Sequence, residues 1–273
     1  MPIIALSADD FDQGLEIARR TADSLDYQFL GRELLQEIAQ DQGLSPDELT
    51  KALDEPPGFL GLGSRRRRRL LTRIQALSLE RLLPGKVVCY GLGAHLYLDG
   101  VSHALRVRVL SDPEERVQRL ARSQGISPER ARKQAQSQDE MRRRWSLEFF
   151  QVDETDPAGY DMVLSLATLD TAKAVEIICD TAGYRKFQPM TYSRKCLMDK
   201  VLEARVRLKL MDRFPDVKVQ ASDGTVVVQV PSIKPDQRRK QKEVRRLAGQ
   251  VPGVDYVEVH VVNAFFEKAG GGR

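Results

Sequence analysis

Short apolar segments alternate with amphipathic helical segments over the first two thirds of the chain, and this alternation restricts the possible folds. Residues 2–7, 86–90, 104–110 and 161–166 have the composition of short buried strands, and segments with helical apolar spacing separate them. Strands that alternate with helices form a parallel sheet that helices cover on both faces. Right-handed crossovers then place the loops after the strands along one sheet edge, where ligands bind in such folds. The pattern therefore predicts a doubly wound α/β domain.

The first strand and the first helix meet at residues 8–13, a joint of unusual composition. In P-loop proteins, such a joint holds nucleotide phosphates through backbone N–H groups, a helix N-terminus and a lysine. Here the joint contains Asp9, Asp10 and Asp12 and no lysine, and we expect the helix to begin at Gly14. Three carboxylates at short range repel a phosphate group. The sequence leaves open an inactivated phosphate site, an acidic turn that caps the helix, and a magnesium site.

The last third of the chain has a different order of predicted helices and strands, which predicts a second and smaller domain. A helix, two strands around the turn signal Ser222-Asp223-Gly224, a basic helix and a final strand give an α-β-β-α-β order. We therefore predict one domain at 1–182, a linker at 183–190, a second domain at 191–263 and a flexible tail at 264–273.

Charge is distributed in blocks, although the net charge of the chain is only +4. Residues 1–64 carry a net charge of −9, residues 65–150 carry +10, residues 151–190 carry −4 and residues 191–273 carry +7. The basic blocks include the run Arg65–Arg69. Their cations could pair with the acidic first block, or they could attract phosphate, nucleic acid or anionic lipid.

Other features of the sequence indicate a cytoplasmic protein. We find no apolar stretch long enough for a transmembrane helix and no signal peptide at the N-terminus. Cys89, Cys179 and Cys196 are widely spaced, as expected for reduced thiols that pack in the interior. The three histidines lack the spacing of metal ligands, so we expect no metal site.

Several separated stretches of the first domain share an order and spacing with a known family. They are Ser7–Ala18, Tyr27–Leu35, Gly91–His95, Leu105–Val109 with Arg116 and Arg119, Asp139–Arg144, Phe149–Asp153 and Tyr160–Leu164. Together they resemble the cytidylate kinase-like family of bacterial P-loop proteins, with Tyr27–Leu35 in the place of its second helix. The resemblance implies a P-loop doubly wound sheet with a helical lid, and phosphoryl transfer from ATP to a nucleoside monophosphate.

The same resemblance implies a set of site residues. The catalytic positions are the lid arginines Arg116, Arg119, Arg142 and Arg143. The cofactor-binding positions are Asp12, Gln13, Gly14, Leu15 and Glu16. The substrate-binding positions are Arg32, Gly91, Gly93, Arg106 and Arg108. The cofactors would be ATP and Mg²⁺ if the protein is an active kinase, and none otherwise.

The chain departs from the family pattern where the chemistry would be done. The family's Gly-Ser-Gly-Gly-Arg corresponds to Phe11–Leu15, so side chains replace bare backbone and Leu15 replaces a cation. Phosphoryl transfer depends on positioned positive charge. The sequence therefore favours a degenerate kinase, weak or inactive, that acts as a regulatory or binding module. An active nucleoside monophosphate kinase of the cytidylate type stays open, as does a binder of nucleic acid or anionic surfaces through the basic helices.

The second domain resembles a BON domain, a small bacterial module of the same element order. The resemblance rests on Asp216–Val219, Asp223–Val228 and Val251–Val254. BON domains are associated with binding of phospholipids or other ligands. The resemblance therefore implies that the second domain binds a partner, and a protein partner is one possibility.

Overall fold

The computed structural model describes residues 2–55, 63–232 and 236–263. The chain divides into two compact units, Met1–Ser193 and Arg194–Arg273. The tail predicted at 264–273 lies outside the described residues. No helix in the described ranges is long and apolar enough to cross a membrane.

The first unit alternates strands and helices. Its first half consists of β1 (Ile3–Ala8), α1 (Phe11–Leu25), β2 (Gln28–Leu30), α2 (Glu33–Gln42), α3 (Pro46–Asp54), α4 (Ser64–Leu82) and β3 (Val87–Tyr90). Its second half consists of α5 (Ala94–Tyr97), β4 (Ala104–Leu110), α6 (Pro113–Gln124), α7 (Pro128–Phe150), β5 (Met162–Ser165) and α8 (Thr171–Ala182).

The strands of the first unit form one parallel sheet in the order β2-β3-β1-β4-β5. Strand β1 is central, and its residues Ile3–Leu6 are buried because helices cover both faces of the sheet. The carboxyl ends of β1, β3 and β4 meet at one edge. This architecture confirms the predicted α/β fold with a doubly wound parallel sheet.

Two local predictions are wrong. Helix α1 begins at Phe11, three residues before the predicted start, because the Asp10 side chain caps it. Residues Gln28–Leu30 form the short strand β2, where a helix was predicted from Tyr27. The turn before β2 places Asp26 in the left-handed region, and the Gln28 N–H donates to the Lys86 carbonyl group at 2.8 Å. Pairing with β3 therefore determines the structure of this segment.

Helices α6 and α7 form a helical hairpin beside the sheet edge. The Asp112 side chain caps α6 by accepting from the Glu114 and Glu115 N–H groups. Gly125 ends α6 in the left-handed conformation, which glycine adopts without strain. The Arg116 guanidinium on α6 donates to the Asp139 carboxylate on α7 at 2.9 Å, which fixes one helix against the other.

The second unit has the predicted α-β-β-α-β order. Its elements are α9 (Thr191–Leu210), β6 (Lys218–Ser222), β7 (Thr225–Ser232), α10 (Gln237–Ala248) and β8 (Tyr256–Asn263). Strand β7 pairs antiparallel with β6 and parallel with β8. Alternate valines of β7, Val226, Val228 and Val230, are buried in a core that α9 and α10 complete. The resemblance to BON domains stays a prediction.

Candidate functional site

A cavity of about 630 Å³ lies at the carboxyl edge of the first sheet. This volume is within the range of small-molecule sites. Its walls come from the ends of β1, β3 and β4, from the start of α1, from α7 and from the segment before β5. The lining includes Ser7, Asp9, Phe11, Arg32, Tyr90, His95, Arg108, Leu110, Arg116, Arg142, Glu154, Tyr160 and Val163.

Only Asp9 and Asp10 separate β1 from α1. One oxygen of the Asp10 carboxylate accepts from the Gln13 N–H at 3.0 Å. The other oxygen accepts from Arg119 of α6, from Nη2 at 3.0 Å and from Nε at 3.2 Å. Arg119 Nη2 also donates to Gln13 Oε1 at 2.8 Å. These contacts tie α6 to the N-terminus of α1 through a carboxylate of the chain itself.

The three aspartates of residues 9–12 have different surroundings. Asp9 accepts from the Ser111 N–H at 2.8 Å and from the Ser111 hydroxyl at 3.0 Å, and Arg116 lies 3.8 Å from it. Asp12 is exposed and does not line the cavity. Within the described ranges, no group of three or more His, Cys, Asp or Glu side chains could hold a metal ion.

Gly14 provides space for the Tyr90 side chain. A Cβ atom at Gly14 would lie 2.3 Å from the Tyr90 hydroxyl oxygen and 2.5 Å from the Ala8 Cβ. The Tyr90 hydroxyl donates to the Phe11 carbonyl oxygen at 2.8 Å, and the two rings lie 5.2 Å apart. Burial raises the pKa of Tyr90, so the phenol keeps its proton. Tyr90 therefore occupies the space beside the first turn of α1.

Arg108 is a buried cation of the cavity wall, with 9% of its surface exposed. Its Nη1 atom donates to the Ser7 hydroxyl at 2.7 Å, and its guanidinium lies 6.0 Å from the centre of the Tyr160 ring. Among the described residues it has no carboxylate partner. The other arginines of the lining have such partners, in the pairs Arg32–Asp54, Arg116–Asp139 and Arg142–Glu154. An uncompensated buried charge is costly, so this position favours an anion.

A carboxylate and an imidazole form a second buried group in the cavity wall. Glu154 is 2% exposed and accepts from Arg142 at 2.9 and 2.8 Å, while His95 Nε2 lies 3.6 Å from it. Burial alone would raise the pKa of Glu154, but His95 and Arg142 hold this pKa at about 2. Burial lowers the pKa of His95, whose ring stacks on Tyr160 at 5.6 Å. His95 Nε2 has no hydrogen-bond partner in the part of the chain that the structure describes.

The residues predicted from the sequence lie in three places. Those that line the cavity are Arg32, Gly91, Gly93, Arg108, Arg116 and Arg142. Those in the first turns of α1, outside the lining, are Asp12, Gln13, Gly14, Leu15 and Glu16. Three arginines bond carboxylates outside the lining, in the pairs Arg106–Asp161, Arg119–Asp10 and Arg143–Asp153.

The sequence prediction omitted several polar residues of the cavity wall, among them Ser7, Tyr90, His95, Glu154 and Tyr160. Ser7 and Tyr90 stand at the ends of buried strands, and that position is itself a signal of a ligand edge. His95 belongs to the Gly-Leu-Gly-Ala-His stretch that supported the family resemblance. Tyr160 begins the Tyr160–Leu164 stretch, which also supported the resemblance. Glu154 carries no local signal, because only the tertiary fold brings it to the cavity.

Comparison with known proteins extends these observations. The model of the cytidylate kinase-like family matches residues 3–168. The cytidylate kinase of Methanopyrus kandleri is 28% identical over 152 residues, which cover 54% of this chain and 76% of that protein. The cytidylate kinase of Archaeoglobus fulgidus is 20% identical over 173 residues, which cover 63% and 89% of the two proteins.

A solved structure also resembles this fold. The crystal structure of an uncharacterized protein from Eubacterium ventriosum has a TM-score of 0.50 and 17% sequence identity. The likeness covers 68% of this chain and 100% of that chain, and it supports the fold alone. The family match covers more than half of the sequence. The chain therefore belongs to the cytidylate kinase-like family.

Proposed function

We propose that this protein is a cytoplasmic regulatory or binding module, weak or inactive as a kinase, which binds a phosphorylated ligand of the nucleoside monophosphate class. The observation that carries the proposal is the position of the Asp10 carboxylate. It holds the Gln13 N–H and the Arg119 guanidinium, the two kinds of donor that a bound phosphate needs at a helix N-terminus.

The residues of the joint between β1 and α1 do not fit the phosphates of ATP. Phosphate-binding loops of this class place several residues between strand and helix, so that backbone N–H groups surround the phosphates. Here Asp9 and Asp10 alone fill the joint, and the Asp9 N–H donates to the Val109 carbonyl group. A phosphate beside Asp10 would also meet its negative charge. These features support weak or absent ATP binding.

The cavity wall beside the end of β1 contains an anion receptor. Arg108 donates to Ser7 and has no carboxylate partner within the described residues, so a phosphate would offset its charge. Leu110 and Val163 add apolar surface to the same cavity, against which a base or sugar can pack. A ligand with one phosphate and an uncharged body has the chemistry that suits this cavity.

The alternative is an active ATP-dependent nucleoside monophosphate kinase, with ATP and Mg²⁺ as cofactors. The names of the two curated relatives favour it, since both are cytidylate kinases. In this alternative, Arg119 would release Asp10 and bind a phosphate instead. The two functions therefore differ in whether the Asp10 contacts open when ATP is present.

The test is titration of the wild type and of two charge-matched variants with ATP and Mg²⁺ in a calorimeter. Asp10→Asn removes the carboxylate charge, and asparagine still caps a helix well. Asp12→Asn removes the same charge from an exposed position of the first turn. We expect no heat when the wild type or Asp12→Asn is titrated to millimolar ATP. Asp10→Asn should bind ATP at least about tenfold more tightly than the wild type, so that its heat becomes measurable. Micromolar binding by the wild type, or an unchanged Asp10→Asn variant, would contradict the proposal.

A further inference from the structure

Helix α10 of the second unit carries a dense positive charge. Its sequence, QRRKQKEVRRLA, contains six cationic residues and one acid within twelve residues. The acid, Glu243, pairs with Arg213 of the preceding segment. Five of the cationic side chains are exposed, namely Arg238, Arg239, Lys242, Arg245 and Arg246.

The cations at the start and centre of α10 do not stabilise this helix, whereas Arg245 and Arg246 in its last turn interact favourably with the helix dipole. Arg238 and Arg239 lie in the first turn, where the helix dipole opposes positive charge. Lys242 is four residues from Arg238 and four from Arg246, and like charges at this spacing repel each other. Arg238, Lys242 and Arg246 have no ion pair or hydrogen bond among the described side chains. The arrangement is therefore unfavourable without an external anion.

Other basic helices of the chain are neutralised in part by acids of the same unit. In α4, Arg66 pairs with Glu48 and Arg81 pairs with Glu37. In α7, Arg142 and Arg143 pair with acids of the following segment. The exposed face of α10 differs from these helices because Arg238, Lys242 and Arg246, which have no partner among the described side chains, follow one another at four-residue spacing on one helix.

We propose that this face of α10 binds the phosphate backbone of a double-stranded nucleic acid. Arg238 and Arg246 are eight residues apart, about 12 Å along the helix axis. A duplex strand presents a phosphate about every 3.4 Å of its axis, so the face can contact about three phosphates. The contacts reach only phosphates, so the binding has little sequence preference.

Two other anionic partners fit this face less well. Single-strand binding sites combine cations with aromatic rings on which the bases stack, and α10 contains no aromatic residue. Helices that bind membranes insert apolar side chains, but Val244 and Ala248 of α10 are buried in the core of their own unit. The exposed side of the helix presents cations alone.

The test is fluorescence anisotropy of short labelled DNA and RNA duplexes with the full chain at several salt concentrations. The test variant combines Arg238→Gln, Lys242→Gln and Arg246→Gln. The matched control combines Arg122→Gln, Arg130→Gln and Lys133→Gln, which remove the same charge from exposed positions of α6 and α7. Circular dichroism verifies that both variants are folded.

We expect the wild type to bind at least one of the two duplexes, with a slope of about −3 in a plot of log K against log salt concentration. The test variant should lose at least about tenfold in affinity, and the control should stay within about twofold of the wild type. Failure to bind either duplex at about 50 mM salt would overturn the proposal. So would an equal loss in both variants, or tighter binding to single strands or to phosphatidylserine vesicles than to duplexes.

Discussion

Replacement of Arg108 by glutamine tests the anion receptor of the cavity. The guanidinium is buried, donates to Ser7 at 2.7 Å and has no ion pair among the described residues. Glutamine removes the charge and keeps an N–H donor on a side chain that is two bonds shorter. Comparison of a phosphorylated and an unphosphorylated ligand then separates the loss of charge from the change in packing.

The expected loss of affinity follows from the charge-assisted contact to the phosphate. Hydrogen bonds that involve a charged group contribute about 1.5–3 kcal/mol, and 1.4 kcal/mol corresponds to a factor of ten. Arg108→Gln should therefore weaken binding of a monophosphate by about 10- to 140-fold. The free energy of unfolding should stay the same or rise, because the variant no longer buries an uncompensated charge.

The assay is calorimetric titration with cytidine monophosphate and with cytidine, which lacks the phosphate. Arg106→Gln is the matched control, since Arg106 lies two residues away on β4 and pairs with Asp161 and Asp99 outside the cavity lining. We expect the control to bind the monophosphate within about threefold of the wild type, and Arg108→Gln to leave binding of cytidine unchanged. Equal binding of the monophosphate by the wild type and Arg108→Gln would refute the assignment of Arg108.

Three further predictions concern stability and are measured by urea unfolding. Gly14→Ala should lower the free energy of unfolding by about 1–3 kcal/mol because the added Cβ meets the Tyr90 hydroxyl. Gly159→Ala is the control and should lower this free energy less, because the added atom has open space. The Glu154 pKa lies at about 2 instead of 4.5, so the stabilisation by its carboxylate is complete above about pH 5 and disappears as the pH falls toward 2. Glu154→Gln should therefore flatten the dependence of the unfolding free energy on pH in that range. An unchanged pH dependence would contradict the buried ion pair. Lys242→Gln removes two like-charge contacts of α10, so stability should rise by about 0.4–1 kcal/mol at low salt and hardly change at high salt, and a loss of stability at low salt would contradict the repulsion.

The topology of the first unit was predictable because its strands are buried on both faces. Runs such as Ile3-Ile4-Ala5-Leu6 are continuously apolar, as parallel strands are, and the connecting helices have clear caps. Strand β2 was not predictable, since three residues at the sheet edge show no periodicity and depend on pairing with β3. The helix expected over Tyr27–Leu35 came from the family resemblance.

The first turn of α1 illustrates a signal that was present in the sequence. Asp10 and Gln13 are three residues apart, the spacing of an N-cap residue and its N3 partner, and this spacing marks a helix start at Phe11. The partners of Asp10 were not predictable in the same way. Arg119 is 109 positions away, and only the packing of α6 against the sheet edge brings its guanidinium to Asp10.

The composition of the cavity wall was only partly accessible from the sequence. The resemblance supplied Arg108, but that no carboxylate among the described residues pairs with it is a property of the fold. Arg106 has the same local sequence context, yet it pairs with Asp161 and lies outside the lining. The two side chains share one face of β4, so the positions of the acids along the strand decide which of them keeps an unbalanced charge.

The most direct test of the central proposal is a calorimetric comparison of two ligands on the wild-type protein. One titration uses cytidine monophosphate, and the other uses ATP with Mg²⁺. The proposed binding module should give saturable heat with the monophosphate and no heat with ATP up to millimolar concentration. Micromolar binding of ATP, or no heat with the monophosphate, would contradict it.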